Sequence, residues 1–155
     1  MTLRLWLAVR AIVTGIEKFA GSKSSDVAVV VDGQPNAYGL TSSDSDKIYG
    51  FAYYNGVPSA LYDQLKSEPL IPGFALNIYN YALGPLLLIT GLTLLLGIAT
   101  RISLLTMGLL YTSLTVGLIL LKQDGGIAWL AIHVLLVAVA LFTVQHNRFQ
   151  ILKKL

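Results

Sequence analysis

The chain contains no cysteine. Disulfides, thiolate metal sites and thiol catalysis by this chain are excluded, and sulfur redox chemistry would need a partner or a cofactor. Charge is also scarce. Asp, Glu, Lys and Arg make up 12% of the 155 residues, against about 25% in a typical soluble domain. No internal repeat, low-complexity tract or lipidation signal is present. The net charge of +3 is carried at the ends of apolar segments and forms no patch, which excludes nucleic acid as a partner. What is abundant is apolar: 55% of the residues are hydrophobic and the mean hydropathy is +0.68. Composition thus defines an integral membrane protein of one compact domain.

Four apolar segments stand out, over residues 3–20, 76–99, 102–121 and 127–145. Each approaches the ~20 residues that cross ~30 Å of hydrocarbon as a helix. None alternates between lipid-facing and lumen-facing residues, which argues against a transmembrane barrel. The expected fold is an all-α membrane protein, a bundle of four transmembrane helices with a long outer loop over residues 21–75. The first segment starts with a basic residue, as a signal peptide does. Arg10, Glu17 and Lys18 interrupt it, and Phe19-Ala20-Gly21 is a poor cleavage site, so a retained helix is expected.

Basic residues near helix ends set the orientation. With a cytoplasmic N terminus, Arg4, Arg101, Arg148, Lys153 and Lys154 face inward. Lys18, Lys23, Lys47, Lys66 and Lys122 then fall outside, most of them on the discounted long loop. The expected location is the bacterial inner (cytoplasmic) membrane, crossed several times, with both termini cytoplasmic.

The outer loop divides in two. Residues 22–47 are polar; 27–31 reads as one strand, "DGQPN" as a turn, and "DSD" at Asp44–Asp46 as a solvated turn without the spaced ligands of a calcium loop. From Ile48 onward aromatics gather, among them Tyr49, Phe51, Tyr53, Tyr54 and Tyr62. Such residues favour the membrane–water interface. Pro58 suits the first turn of a short surface helix over residues 58–67, and Pro69 and Pro72 end it. The region reads either as an anchoring aromatic belt or as a lid or docking face.

Candidate chemistry lies within the apolar segments. Arg10 and Glu17 are seven residues apart, about 10 Å along a helix, with Thr14 between them on nearly the same face. That polar stripe requires the bundle interior, water or a partner. A pocket for a headgroup, quinone or proton and a buried pairing with another chain both satisfy it. Lys18 can snorkel to the outer surface. His133, a third of the way into the last segment, suits a quinone carbonyl or a neighbouring hydroxyl. The other histidine, His146, is 13 residues on, about 20 Å away, which disfavours a haem held by this chain alone. No carboxylate pair or thiolate suits a metal. Gly84, Gly91, Gly108 and Thr112 mark close packing faces, and Pro85 is expected to kink its helix or lie in its first turns.

The order of these features resembles the DoxX-like family of small membrane proteins. The similar stretches are an early Arg4, then "TGIEKF" with Gly15, Lys18 and Phe19. Further on comes "GPLLLITGLTLLLGIATRIS" with Gly84, Gly91, Gly97, Thr100 and Arg101. The outer loop is much longer than is usual in that family. The resemblance implies a membrane subunit near quinone or redox chemistry and supplies no catalytic residue. The expected function is an accessory or structural subunit of a larger respiratory or quinone-linked membrane complex, with other membrane subunits and lipids as partners. No cofactor is expected on this chain alone, with quinone or lipid as the candidate ligand. An independent quinone-reactive oxidoreductase component is the alternative; a small-molecule transporter has less support, without inverted repeats or paired broken helices.

Overall fold

A computed structural model describes residues 1–31, 34–36 and 38–146. It contains five helices: α1 (Thr2–Glu17), α2 (Ser59–Ser67), α3 (Gly73–Leu96), α4 (Thr100–Leu120) and α5 (Asp124–Phe142). Between α1 and α2 lie four strands: β1 (Ala20–Ala28), β2 (Val30–Val31), β3 (Gln34–Pro35) and β4 (Thr41–Tyr49).

This corrects the expected all-α bundle of four transmembrane helices. Three helices, α3, α4 and α5, are long and apolar enough to cross a membrane. They span about 36, 31 and 28 Å at 1.5 Å per residue, against the ~30 Å of the hydrocarbon layer. The first segment does form a helix, but it ends at Glu17 after 16 residues, about 24 Å, and carries Arg4, Arg10 and Glu17. Phe19 and Ala20, counted with it in the sequence, belong to the turn and the strand that follow.

The outer loop also departs from expectation. β1 pairs antiparallel with β4 through nine residue pairs, from Ala20↔Tyr49 to Ala28↔Thr41, and β2 pairs with β3 beyond them. The "DSD" segment, read as a turn, is the middle of β4. Residues 27–31, read as one strand, are split between β1 and β2. "SKSSD" and "SSDSD" give no hydrophobic alternation, because nearly every residue of this ribbon is exposed. The ribbon is held by its backbone ladder and by its base.

α1 runs antiparallel to α3, with Ala8 and Ile12 level with Gly91 and Gly15 level with Leu88. Small residues on both helices let the two backbones approach closely. A Cβ on Gly91 would stand 2.7 Å from Ile12 and 3.1 Å from the Ala8 carbonyl. The face of α1 bearing Arg4, Leu7, Ala8, Ala11 and Gly15 is consequently buried. Arg4, expected as a cytoplasmic flank, is only 3% exposed. On the opposite face Trp6, Val9, Val13 and Ile16 are exposed.

The α3–α4 turn is made by left-handed Gly97 (φ 71°) and Ala99 (φ 44°), after which Ser103 Oγ donates to Thr93 Oγ1 at 2.9 Å. The α4–α5 turn is shorter than the expected 122–126 connection, since α5 already starts at Asp124. Hydroxyls inside the apolar helices turn back on their own backbones. Thr90, Thr93, Thr112 and Thr115 each donate to the carbonyl four residues earlier at 2.6–2.9 Å, which satisfies the hydroxyl within its own helix.

Pro85 stands inside α3, beyond its first turns. Lacking an N–H, it leaves the carbonyl of Tyr81 without its helical partner. Tyr54 fills the gap. Its hydroxyl lies 3.0 Å from Tyr81 O and 2.8 Å from Asn80 O, and it accepts from the Gly84 N–H at 3.1 Å. One phenolic proton serves one of the two carbonyls at a time. Asn80 Oδ1 accepts the Val57 N–H at 2.7 Å, and a Cβ on Gly56 would come within 1.8 Å of the Asn80 carbonyl oxygen. The segment before α2 is thus stapled into the α3 backbone. Tyr54→Phe should lower the unfolding free energy by about 1–3 kcal/mol, the cost of leaving buried polar groups unpaired. Denaturant titration in detergent reads the loss; it should shrink in a Pro85→Ala background, where the Tyr81 carbonyl regains a helical donor.

Candidate functional site

Because α1 buries its Arg4–Gly15 face against α3, its next face turns towards α5. Arg10, Thr14 and Lys18 follow one another at four-residue steps, each advancing about 40° round the helix. All three line a cavity of about 180 Å³. Leu83 and Leu87 of α3 and Tyr111 and Leu114 of α4 form its inner walls, and Trp129, Leu130 and His133 of α5 close the far side. Arg10 and Trp129 are exposed, Trp129 to 68%. The cavity therefore opens past those two side chains, in the cleft between α1 and α5.

His133 is 8% exposed. Its ring stands 5.6 Å from Trp6 and 5.3 Å, edge-on, from Tyr111. Nδ1 lies 2.7 Å from the Trp129 carbonyl, one helical turn earlier. A carbonyl only accepts, so Nδ1 carries the proton of this bond, and Nε2 is the nitrogen left to meet a ligand. Thr14 Oγ1 donates to the Arg10 carbonyl at 2.8 Å, leaving its lone pairs for the cavity. Burial holds the Lys18 ammonium below the ordinary lysine range.

Of the sequence candidates, the structure brings together Arg10, Thr14 and His133. Glu17 is not among the residues lining the cavity. One residue from Lys18, it is rotated by about 100° and grips the hairpin: Glu17 Oε2 stands 2.5 Å from Lys47 Nζ, and Oε1 accepts from the Tyr49 hydroxyl at 3.1 Å. Lys18 takes the place expected for Glu17. Its position eight residues after Arg10 was the available signal, since the stripe 10, 14, 18 continues without a break. Tyr111 and Trp129 were passed over because aromatics in apolar segments carry no period of their own.

The aromatic loop residues have separate duties and do not line this cavity. Tyr54 lies tilted against Phe19 at 4.8 Å, and Phe51 meets Phe19 edge-on at 5.6 Å while remaining 90% exposed. Tyr53 packs beneath Gly21. Tyr62 on α2 donates to Asn77 Oδ1 of α3. Backbone bonds from Gly50 N to Phe19 O (2.9 Å) and from Asn55 N to Lys18 O (2.7 Å) seat the ribbon base on the end of α1.

Among the described residues no group of three His, Asp or Glu is placed to hold a metal ion. His146 ends a 3-10 turn after α5, and Arg148, Lys153 and Lys154 lie outside the described residues. No family model, curated protein or solved structure matches the chain.

The clamp at the ribbon base is pH-dependent in both directions. The hydrogen bonds from Lys47 and then Tyr49 hold the Glu17 carboxyl below the ordinary carboxylate value. Its contribution is present above that ordinary value and is lost as pH falls through the lowered one. The hydrogen bond to Glu17 raises Lys47 above the ordinary lysine value. That contribution is present below the ordinary lysine value and is lost as pH rises through the raised one. Both groups are solvent-exposed, so added salt should weaken the clamp. Spin labels at Ser24→Cys and Ile78→Cys, introduced into a cysteine-free chain, should report one narrow distance near neutral pH and a broadened one at either extreme. An unchanged distribution on Glu17→Gln would refute the clamp.

Proposed function

We propose that the protein is a membrane subunit, accessory to a larger respiratory or quinone-linked assembly, that holds an amphiphile, quinone or lipid, between its first and last helices. One observation carries this reading. A mainly apolar cavity that bears the polar groups of Arg10, Lys18 and His133 lies beside three helices long enough to cross a membrane, and it opens sideways between α1 and α5. A site entered from the flank suits a ligand that dissolves in the membrane. Its polar groups orient a head, and its leucines take the first part of a tail, the usual division in small-molecule pockets.

An accessory role is supported by the hydrogen bonding of the polar side chains. His133 and Thr14 are tied to neighbouring carbonyls, and Glu17 is bound to the ribbon. The short stretches that resemble DoxX-like proteins fall on α1, along α3 and at the start of α4. The exposed ribbon, nine residue pairs and about 30 Å long, offers a surface beyond the helices for companion subunits. We place the chain in the bacterial inner membrane, with the α3–α4 turn and Arg101 inside and the ribbon outside, following the bias of basic residues at short turns.

Purification from native membranes in mild detergent, followed by mass spectrometry of proteins and of extracted small molecules, tests the proposal. Companion subunits should co-purify, together with a quinone or lipid that is lost from a Thr14→Trp variant whose larger side chain fills the cavity. A single pure species with no retained amphiphile would overturn it.

A further inference from the structure

The charges that reach the cavity have one sign. Arg10 on α1 and Lys18 at its C-terminal cap stand eight residues apart, about 12 Å along the helix axis, and both line the cavity. The neighbouring acid, Glu17, is turned away and engaged by Lys47 and Tyr49. Among the described residues that line the cavity there is no aspartate or glutamate. Lys18 is driven below its ordinary basicity by burial and by nothing else. The site therefore lacks a counter-charge of its own, and it faces walls of leucine that hold the local dielectric low. There a unit charge is felt several times more strongly than in water.

Size narrows the occupant. A volume of about 180 Å³ is close to the ~150 Å³ of a cavity that takes one benzene-sized molecule. That suits a headgroup, not a lipid chain. The opening lies at Arg10 and Trp129. Outside it the exposed apolar stripe of α1, with Val9 and Val13, and that of α5, with Ile132 and Leu135, offer a bed for a tail.

We propose that the cavity binds the carboxylate or phosphate head of an acidic amphiphile, with the tail leaving between α1 and α5. This rests on the amphiphile-holding reading above and adds the charge of the ligand. The guanidinium of Arg10 can take two oxygens of such a head at once, and Lys18 acts on it as a point charge.

The full chain in phosphatidylcholine nanodiscs, offered small amounts of phosphatidic acid or ubiquinone, gives the test, with retained molecules counted by native mass spectrometry. Phosphatidic acid should be retained about tenfold over phosphatidylcholine, and Arg10→Gln and Lys18→Gln should each remove about that factor. Lys18→Arg should keep most of it, and Lys23→Gln, on the ribbon, should change nothing. Where Arg10→Gln does not fold, the Lys18 pair decides. Millimolar inorganic phosphate distinguishes the sources: displacement supports recognition of the phosphate itself, and failure to displace supports a lipid held by head and tail together. Equal retention of phosphatidic acid, phosphatidylcholine and ubiquinone overturns the charge inference while leaving the amphiphile site standing. Retention of none overturns both.

Discussion

The close contact of α1 with α3 sets everything else. It depends on Gly15 and Gly91, where a side chain would strike Leu88 and Ile12. Near approach of the backbones brings their side chains into close van der Waals contact. Once α1 is fixed in rotation, its other faces follow. Trp6, Val9, Val13 and Ile16 turn outward. Arg10, Thr14 and Lys18 turn towards α5. Glu17 is left at the end, where it meets the ribbon. Rotation by one residue would exchange Glu17 and Lys18, and the cavity would lose its excess of positive charge.

Polar groups in the apolar part of the molecule follow a common rule. Several hydroxyls and a ring nitrogen bond to a carbonyl one turn back on their own helix, as in Thr90, Thr112 and His133. Tyr54 is the variation: it comes from outside the helix and repairs a ladder that Pro85 interrupts. Arg10 and Lys18 instead line the cavity between α1 and α5.

Much of the helical part was legible in the sequence. The segments at 76–99, 102–121 and 127–145 correspond to α3, α4 and α5 within about three residues at each end, because an unbroken apolar run has few other outcomes. The first segment misled because hydropathy ignores where a helix stops. Phe19 and Ala20 extend the apolar run while the backbone has already turned into β1. The ribbon was hidden for a different reason. Its strands are serine and aspartate with scattered lysine, their side chains meet no core, and the period of two that betrays a half-buried strand never arises. Of the site, Arg10, Thr14 and His133 were visible as costly residues in apolar surroundings. The exchange of Lys18 for Glu17 was not, because neighbouring residues on a helix differ only by an angle that packing decides.

The ribbon is an arm. About 30 Å of exposed strand is fixed at one end through Glu17, Phe19 and Tyr54, and Tyr54 in turn holds the interrupted backbone of α3 at Asn80–Gly84. Leu83 and Leu87, on that stretch and the turn after it, form the inner wall of the cavity. A sideways load at the tip therefore arrives as torque on the proline-interrupted stretch of α3, immediately behind the cavity. Whatever grips the far end of the arm gains mechanical leverage over the volume of that cavity.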